Sequence, residues 1–362
     1  MDEVLAEHIK LTAEKGLSRE EIRSLMINSG WPEQLVKEYI DKTFKQLEKG
    51  TIVSIHGVGK AFNGNPVLEN VDFDVRSGEI FGIIGMSGAG KTTLLNVLIG
   101  FLQPDKGDVL YAFNNQTISV FKNSEAVKRQ VGFSTQTPSF YSRLTVRENL
   151  EHFASLYGIQ EPDRTRRVTA LLELVGLKDA KNAVAAHLSG GMQKRLDIAC
   201  AILHDPNVLI LDEPTADLDP ILRKQFWELI KKINAKGTTI ILASHFLAEI
   251  ELLCSRIAIL QNRKIVEIGT ADELRDIYSR NYEIYLRTAA GDYDKLLKEL
   301  SQRRRFFAKV YKDGNELVVE TPKPEHILAT IANYVERQRE QMVSLHVARP
   351  SLGKVFEHVV SR

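Results

Sequence analysis

One stretch constrains this chain more than any other: Gly85-Met86-Ser87-Gly88-Ala89-Gly90-Lys91-Thr92-Thr93. It follows the apolar run Ile80–Ile84 and leads into the apolar, helix-compatible segment Thr93–Ile99. The glycine, lysine and threonine spacing fits a strand–loop–helix unit whose loop wraps a phosphate chain. The reason is geometric. Glycines at 85, 88 and 90 reach backbone conformations closed to other residues, so N–H groups can turn inward, and the helix N-terminus behind them adds positive potential. In that frame Lys91 brings a cation to the terminal phosphates and the Thr92 hydroxyl is placed to ligate Mg²⁺. The plainer alternative is a glycine-rich turn that matches by chance, and the flanking strand and helix weigh against it.

From Thr51 onward, short β-branched runs recur: Ile52–Ile55, Val71–Val75, Ile80–Ile84, Val131–Phe133, Val208–Leu211, Thr238–Leu242, Ile257–Leu260 and Lys264–Ile268. Helical segments separate several of them. Continuous apolar runs suit strands buried on both faces, and alternation with helices predicts an α/β unit with a largely parallel sheet. The run Val208–Leu211 delivers Asp212 and Glu213 at a strand's C-terminal end, where ligands gather in open α/β sheets. Beside a phosphate loop, Asp212 is expected to hold Mg²⁺ through water and Glu213 to polarise an attacking water. Without that loop the pair would read as two surface acids.

The α/β unit is expected to span residues 51–277, between two others. Residues 1–50 read as a small helical unit: a capping box Ser18–Glu21 opens a helix carrying Ile22, Leu25 and Met26. Gly30 stops it, and Leu35, Val36, Tyr39, Ile40 and Phe44 stripe the next helix. Within 278–362, strands are expected at Tyr282–Leu286, Phe306–Tyr311, Glu316–Glu320 and Val343–Val347, with helices at Tyr293–Leu300 and Glu325–Gln338. That β-α-β-β-α-β order predicts a ferredoxin-like α+β unit. A last helix, Leu352–Val360, carries a stripe of Leu352, Val355, Phe356 and Val359 as a contact or packing face, with Phe356 expected to pack within its own unit.

Composition narrows the function classes. The 362 residues carry 48 Lys and Arg against 47 Asp and Glu, a net charge of +1, so no global basic field points to nucleic acid. The short basic run Arg303–Arg305 reads as a solvated turn or a partner contact. Two cysteines, Cys200 and Cys254, exclude a disulfide scaffold. No uncharged stretch approaches the roughly 20 residues of a membrane helix. The acidic opening Met1–Lys10 lacks a signal peptide's basic start and apolar run. The expectation is a soluble, cytoplasmic chain whose membrane role, if it has one, comes through a partner.

Leu188-Ser189-Gly190-Gly191-Met192 then stands before the amphipathic run Met192–Leu203, in the manner of a second phosphate-binding helix N-terminus. One chain does not need two, so the motif suggests that it serves ATP held by another subunit. Here a resemblance enters. The motif resembles the signature of ABC transporter ATPases, and further family elements fall in order. Gln136 resembles the Q-loop glutamine, Asp217-Leu218-Asp219-Pro220 the D-loop, His245 the switch histidine, and Phe62 the aromatic that stacks on adenine. Taken singly, Gln136 would read as a solvated loop residue and His245 as a backbone-satisfied histidine. The resemblance covers residues 51–277.

The resemblance implies a P-loop ATPase fold of the ABC type, with a helical subdomain on a mostly parallel sheet, and ATP and Mg²⁺ as ligands. It implies catalytic roles for Glu213, His245, Gln136 and Lys91. It implies nucleotide contacts from Phe62, Gly85 through Thr93, Ser189, Gly190, Gly191 and Asp219, and Mg²⁺ contacts from Thr92, Gln136 and Asp212. Met192 stands where the family most often has Gln, and Phe62 where it has Tyr; neither removes the group the chemistry needs. The stretches Val131–Gly158, Ser244–Glu251 and Arg349–Phe356 are similar to exporter-type ATPases for drugs, antibiotics and sodium. That branch implies a homodimer of ATPase subunits, peripheral on the cytoplasmic face of the membrane and serving a separate permease subunit in export. The alternative is a soluble, non-transport ABC ATPase acting on ribosomes or DNA. Those carry two cassettes or a long coiled-coil insertion, and neither is visible here. A regulator in which hydrolysis is incidental is a third class, disfavoured by Glu213 and His245.

Overall fold

The structure is a computed structural model. It describes residues 50–113, 116–278, 281–301 and 307–360, together with 5, 8, 9, 12, 19–29, 31–33, 35–37, 39 and 40. In the N-terminal part, α1 (Arg19–Asn28) buries Ile22 and Met26 against Leu5, Ile9, Val36 and Ile40. The expected capping box at Ser18–Glu21, the stop at Gly30, the stripe residue Phe44 and the basic run 303–305 lie outside the residues, or the side chains, that are described.

Six strands form the central sheet: β3 (Ile80–Ile84), β6 (Val131–Ser134), β7 (Val208–Asp212), β8 (Thr239–Ser244), β9 (Arg256–Gln261) and β10 (Lys264–Gly269). Their order is β10-β9-β3-β8-β7-β6, parallel from β9 to β6, with β10 antiparallel at the edge. Every residue of β3, β7 and β8 is buried. Successive side chains on a strand point to opposite faces, so each strand feeds two cores. Leu209, Leu211, Ile240, Leu242, Ile257 and Ile259 face one. Val208, Ile210, Ile241, Ala243, Ala258 and Leu260 face the other.

The second core is closed by α2 (Lys91–Leu98) and by a separate antiparallel sheet of order β2-β1-β4-β5. Its strands are β1 (Thr51–Phe62), β2 (Asn65–Arg76), β4 (Lys106–Phe113) and β5 (Gln116–Ser119). Two of the expected strands, Ile52–Ile55 and Val71–Val75, therefore belong to this sheet and not to the parallel one. In β2 the reason is visible: Val71, Phe73 and Val75 are buried while Asp72, Asp74 and Arg76 are exposed. That period of two marks a half-buried antiparallel strand.

The first core lies under the helices α4 (Val146–Leu156), α5 (Asp163–Leu174), α6 (Gly190–Ile202), α7 (Pro220–Ala235) and, after β8, α8 (Leu247–Leu253), whereas the short α3 (Ser124–Lys128) before β6 buries Val127 in the second core. A capping box of Thr145 and Glu148 starts α4. The fully buried Asn149 fixes the loop before it, donating to the carbonyls of Tyr141 and Thr145 and accepting from the Tyr141 N–H. Strand β6 meets α6 so closely that a Cβ at Gly132 would lie 2.2 Å from the Ala201 carbonyl oxygen. Gly132→Ala is expected to destabilise the chain by about 1–3 kcal/mol, the usual cost of overpacking. Urea unfolding checks this, and an unchanged midpoint would refute the close packing.

After α9 (Ala271–Tyr278) come β11 (Tyr282–Thr288), α10 (Asp294–Ser301), β12 (Lys309–Asp313), β13 (Glu316–Thr321), α11 (Pro324–Gln338) and β14 (Met342–Ala348). The sheet order is β12-β13-β11-β14, antiparallel throughout, the arrangement of a ferredoxin-like sandwich, with its own core of Ile284, Leu286, Leu296, Leu317, Ile327 and Ile331. The final helix, α12 (Leu352–Val360), does not join that core. Leu352 and Val355 are buried in the first core, with Phe356 and Val359 packed on it. The expected packing of Phe356 within its own unit is thus replaced by packing on the central one, because α12 lies against α8 and α9.

Candidate nucleotide site

The loop between β3 and α2 is built as its glycines require. Gly88 and Gly90 have φ of 80° and 106°, in the left-handed region. A Cβ at Gly85 would lie 2.7 Å from the Leu260 carbonyl oxygen on β9, so only glycine fits there without a shift. A Cβ at Gly90 would lie 3.1 Å from the Val67 carbonyl oxygen of β2. The loop therefore packs against the hairpin β1–β2, in whose register Phe62 faces Asn65. Phe62 is exposed, with the Lys60 ammonium 5.6 Å from its ring centroid. Met86, Ser87 and Gly88 are also exposed, whereas Lys91 is buried.

Lys91 Nζ donates to the Gly85 carbonyl at 2.9 Å and lies 3.4 Å from Glu213 Oε1. The Thr92 hydroxyl donates to Asp212 Oδ2 at 2.8 Å. The other Asp212 oxygen, Oδ1, is buried with no hydrogen-bond partner. Burial pushes the Asp212 carboxyl above its ordinary pKa, and the Thr92 hydrogen bond opposes that. A buried carboxylate oxygen without a partner, beside a threonine hydroxyl, fits a hard cation that takes oxygen ligands and keeps several waters. Among the described residues no cluster of three or more His, Cys, Asp or Glu is placed to hold a metal alone.

Glu213 leaves β7 with φ 48°, an uncommon conformation for a residue with a Cβ. Its N–H donates to the Ala243 carbonyl on β8, and its Oε2 lies 2.7 Å from His245 Nδ1. Asp212, Glu213, Lys91, Thr92 and His245 thus meet at the C-terminal edge of the parallel sheet.

Other expected residues stand apart. Gln136 is exposed; its carbonyl accepts from Lys194 Nζ at 2.6 Å, and its side chain makes no hydrogen bond to Thr92 or Asp212. Asp219 caps α7, its Oδ1 accepting from the N–H groups of Ile221 and Leu222. Ser189 caps α6 through the Met192 N–H. Ser189 and Gly190 are exposed, whereas Gly191 is buried against Leu222.

Among the buried charges not singled out from the sequence are Lys194 and Glu249. Lys194 sits on α6, and burial pulls its pKa down. Glu249 sits on α8, fully buried. A helical position facing the core was the available signal for both, yet a charged residue there reads first as a solvated face.

Sheet, loop and carboxylate pair together define a P-loop nucleotide-binding protein. A family profile described as ABC transporter matches residues 68–216. The Nod factor export ATP-binding protein I of Ralstonia nicotianae is 33% identical, over 79% of this chain and 86% of its own. The chain belongs to the ABC transporter ATP-binding proteins. It is also 27% identical to the linearmycin resistance ATP-binding protein of Bacillus subtilis, covering 86% of this chain and 99% of that one. Among solved structures, one described as the ATP binding subunit of an ABC transporter is 33% identical, with a TM-score of 0.57, over 63% of this chain and 93% of its own. CbiO1 of Clostridium perfringens, part of a cbiONQ complex, is 28% identical at a TM-score of 0.57 over 62% and 90%. The relatives carry names of drug-resistance and export systems.

Proposed function

We propose that the chain binds and hydrolyses ATP as one of two identical subunits and drives export through a separate membrane subunit. The observation that carries hydrolysis is the cluster of Lys91, Glu213 and His245 beside the Thr92–Asp212 pair. Thr92 and Asp212 would hold Mg²⁺, and Gln136 would join them once its loop moves inward. When bound, Mg²⁺ neutralises phosphate charge. Lys91 binds the terminal phosphates, Phe62 stacks on the base, and Glu213 accepts a proton from the attacking water. His245 orients Glu213 and contacts the γ-phosphate.

The exposed Ser189 and Gly190 suit ATP held on the partner subunit, with Asp219 setting the loop that meets it. In this reading residues 51–277 hold the nucleotide machinery, and 1–50 and 278–362 flank it. Among the described residues no helix is long and apolar enough to cross a membrane, which is why a second subunit is invoked.

The test is co-expression with a membrane protein sought among the products of the neighbouring genes. Affinity capture of the tagged membrane protein is expected to retain this chain at one-to-one stoichiometry, with ATP turnover raised in vesicles. Capture of ribosomes or DNA in place of a membrane protein would favour the non-transport alternative.

A further inference from the structure

Glu249 is fully buried, and its carboxylate joins Ser244, at the end of β8 just before its own helix, to Thr215 and Trp227 farther back in the chain. Oε1 accepts from the Thr215 hydroxyl at 2.9 Å and from Trp227 Nε1 at 2.9 Å. Oε2 accepts from the Ser244 hydroxyl at 2.8 Å, and that same hydroxyl oxygen accepts from the Phe246 N–H at 3.0 Å. Thr215 is two residues after Glu213, and Ser244 immediately precedes His245. Trp227 lies on α7.

One carboxylate thus ties the loop behind Glu213 to the loop that presents His245. The exposed His245 ring is otherwise held by its 2.7 Å contact with Glu213 and by Phe246, whose ring lies 4.1 Å away. Burying a carboxylate is costly unless hydrogen bonds replace its water, and here three donors do so. An apolar residue would fill the same space without that cost. The three bonds therefore call for a reason beyond packing, and the two catalytic loops supply it.

We propose that Glu249 is a positioning residue for hydrolysis: through Ser244 and Thr215 it holds His245 and Glu213 in the register in which they meet. The proposal rests on the hydrolytic roles given to Glu213 and His245 above. Gln at 249 keeps the volume and the acceptor for Thr215 and Trp227. It turns an N–H₂ toward Ser244, whose hydroxyl proton then has no acceptor there.

The experiment is a double-variant cycle on the full chain, reading kcat and KM for ATP, with thermal melting to check folding. Glu249→Gln is expected to lower kcat at least fivefold with KM within twofold of wild type. Ser244→Ala is expected to give the same split. His245→Ala combined with Glu249→Gln is expected to be no slower than His245→Ala alone.

Turnover of folded Glu249→Gln within twofold of wild type overturns the proposal. So does a loss carried by KM, or a double variant in which the two losses multiply. If Glu249→Gln does not fold, Ser244→Ala takes its place in the cycle under the same criteria. Wild-type turnover by His245→Ala removes the hydrolytic reading and the proposal with it. That outcome is distinct from multiplied losses, which remove the positioning role alone.

Discussion

Glu213→Gln is expected to bind ATP as the native chain does and to lose about two to four powers of ten in turnover, the usual contribution of a positioned general base. The change keeps the shape of the side chain but removes its ability to accept a proton. It also removes a negative charge 3.4 Å from Lys91 Nζ, which frees that ammonium for phosphate and does not weaken nucleotide binding. The left-handed backbone at 213 accepts either residue, since the strain lies in the main chain. With hydrolysis blocked, ATP is expected to hold two subunits together. Single-turnover hydrolysis and size-exclusion chromatography with ATP check both parts. Turnover within tenfold of the native chain would remove Glu213 from the role of base.

Lys91→Ala acts one step earlier, on affinity. A hydrogen bond to a charged group contributes about 1.5–3 kcal/mol, so the ATP Kd is expected to rise roughly ten- to a hundredfold. The change also leaves Glu213 without its cation next to Asp212, whose carboxyl already sits above its ordinary pKa through burial. Calorimetric titration with a non-hydrolysable ATP analogue gives the Kd. The same variant then tests the shared site. Lys91→Ala subunits mixed with Ser189→Arg subunits form heterodimers with one doubly damaged site and one intact site. Activity is expected above that of either variant alone. No recovery, with heterodimers shown to form, would count against Ser189 acting across the dimer.

The sequence by itself determined what is local. The phosphate loop occupies nine consecutive residues, Gly85–Thr93, between a strand and a helix, so its chemistry needs no distant partner to be read. The carboxylate pair Asp212 and Glu213 was legible for the same reason, and the β-α-β-β-α-β unit followed from period alone. Tertiary structure decided the rest. It put Ile52–Ile55 and Val71–Val75 into a second sheet and set α12 on the central core. It engaged Asp219 as a helix cap, brought Lys194 to the Gln136 carbonyl, and buried Glu249 among donors from three segments. Hydrophobic period reports which face of an element is buried, but not what covers it. A buried charge is stabilised by partners that chain folding brings from far along the sequence, and no local pattern records them.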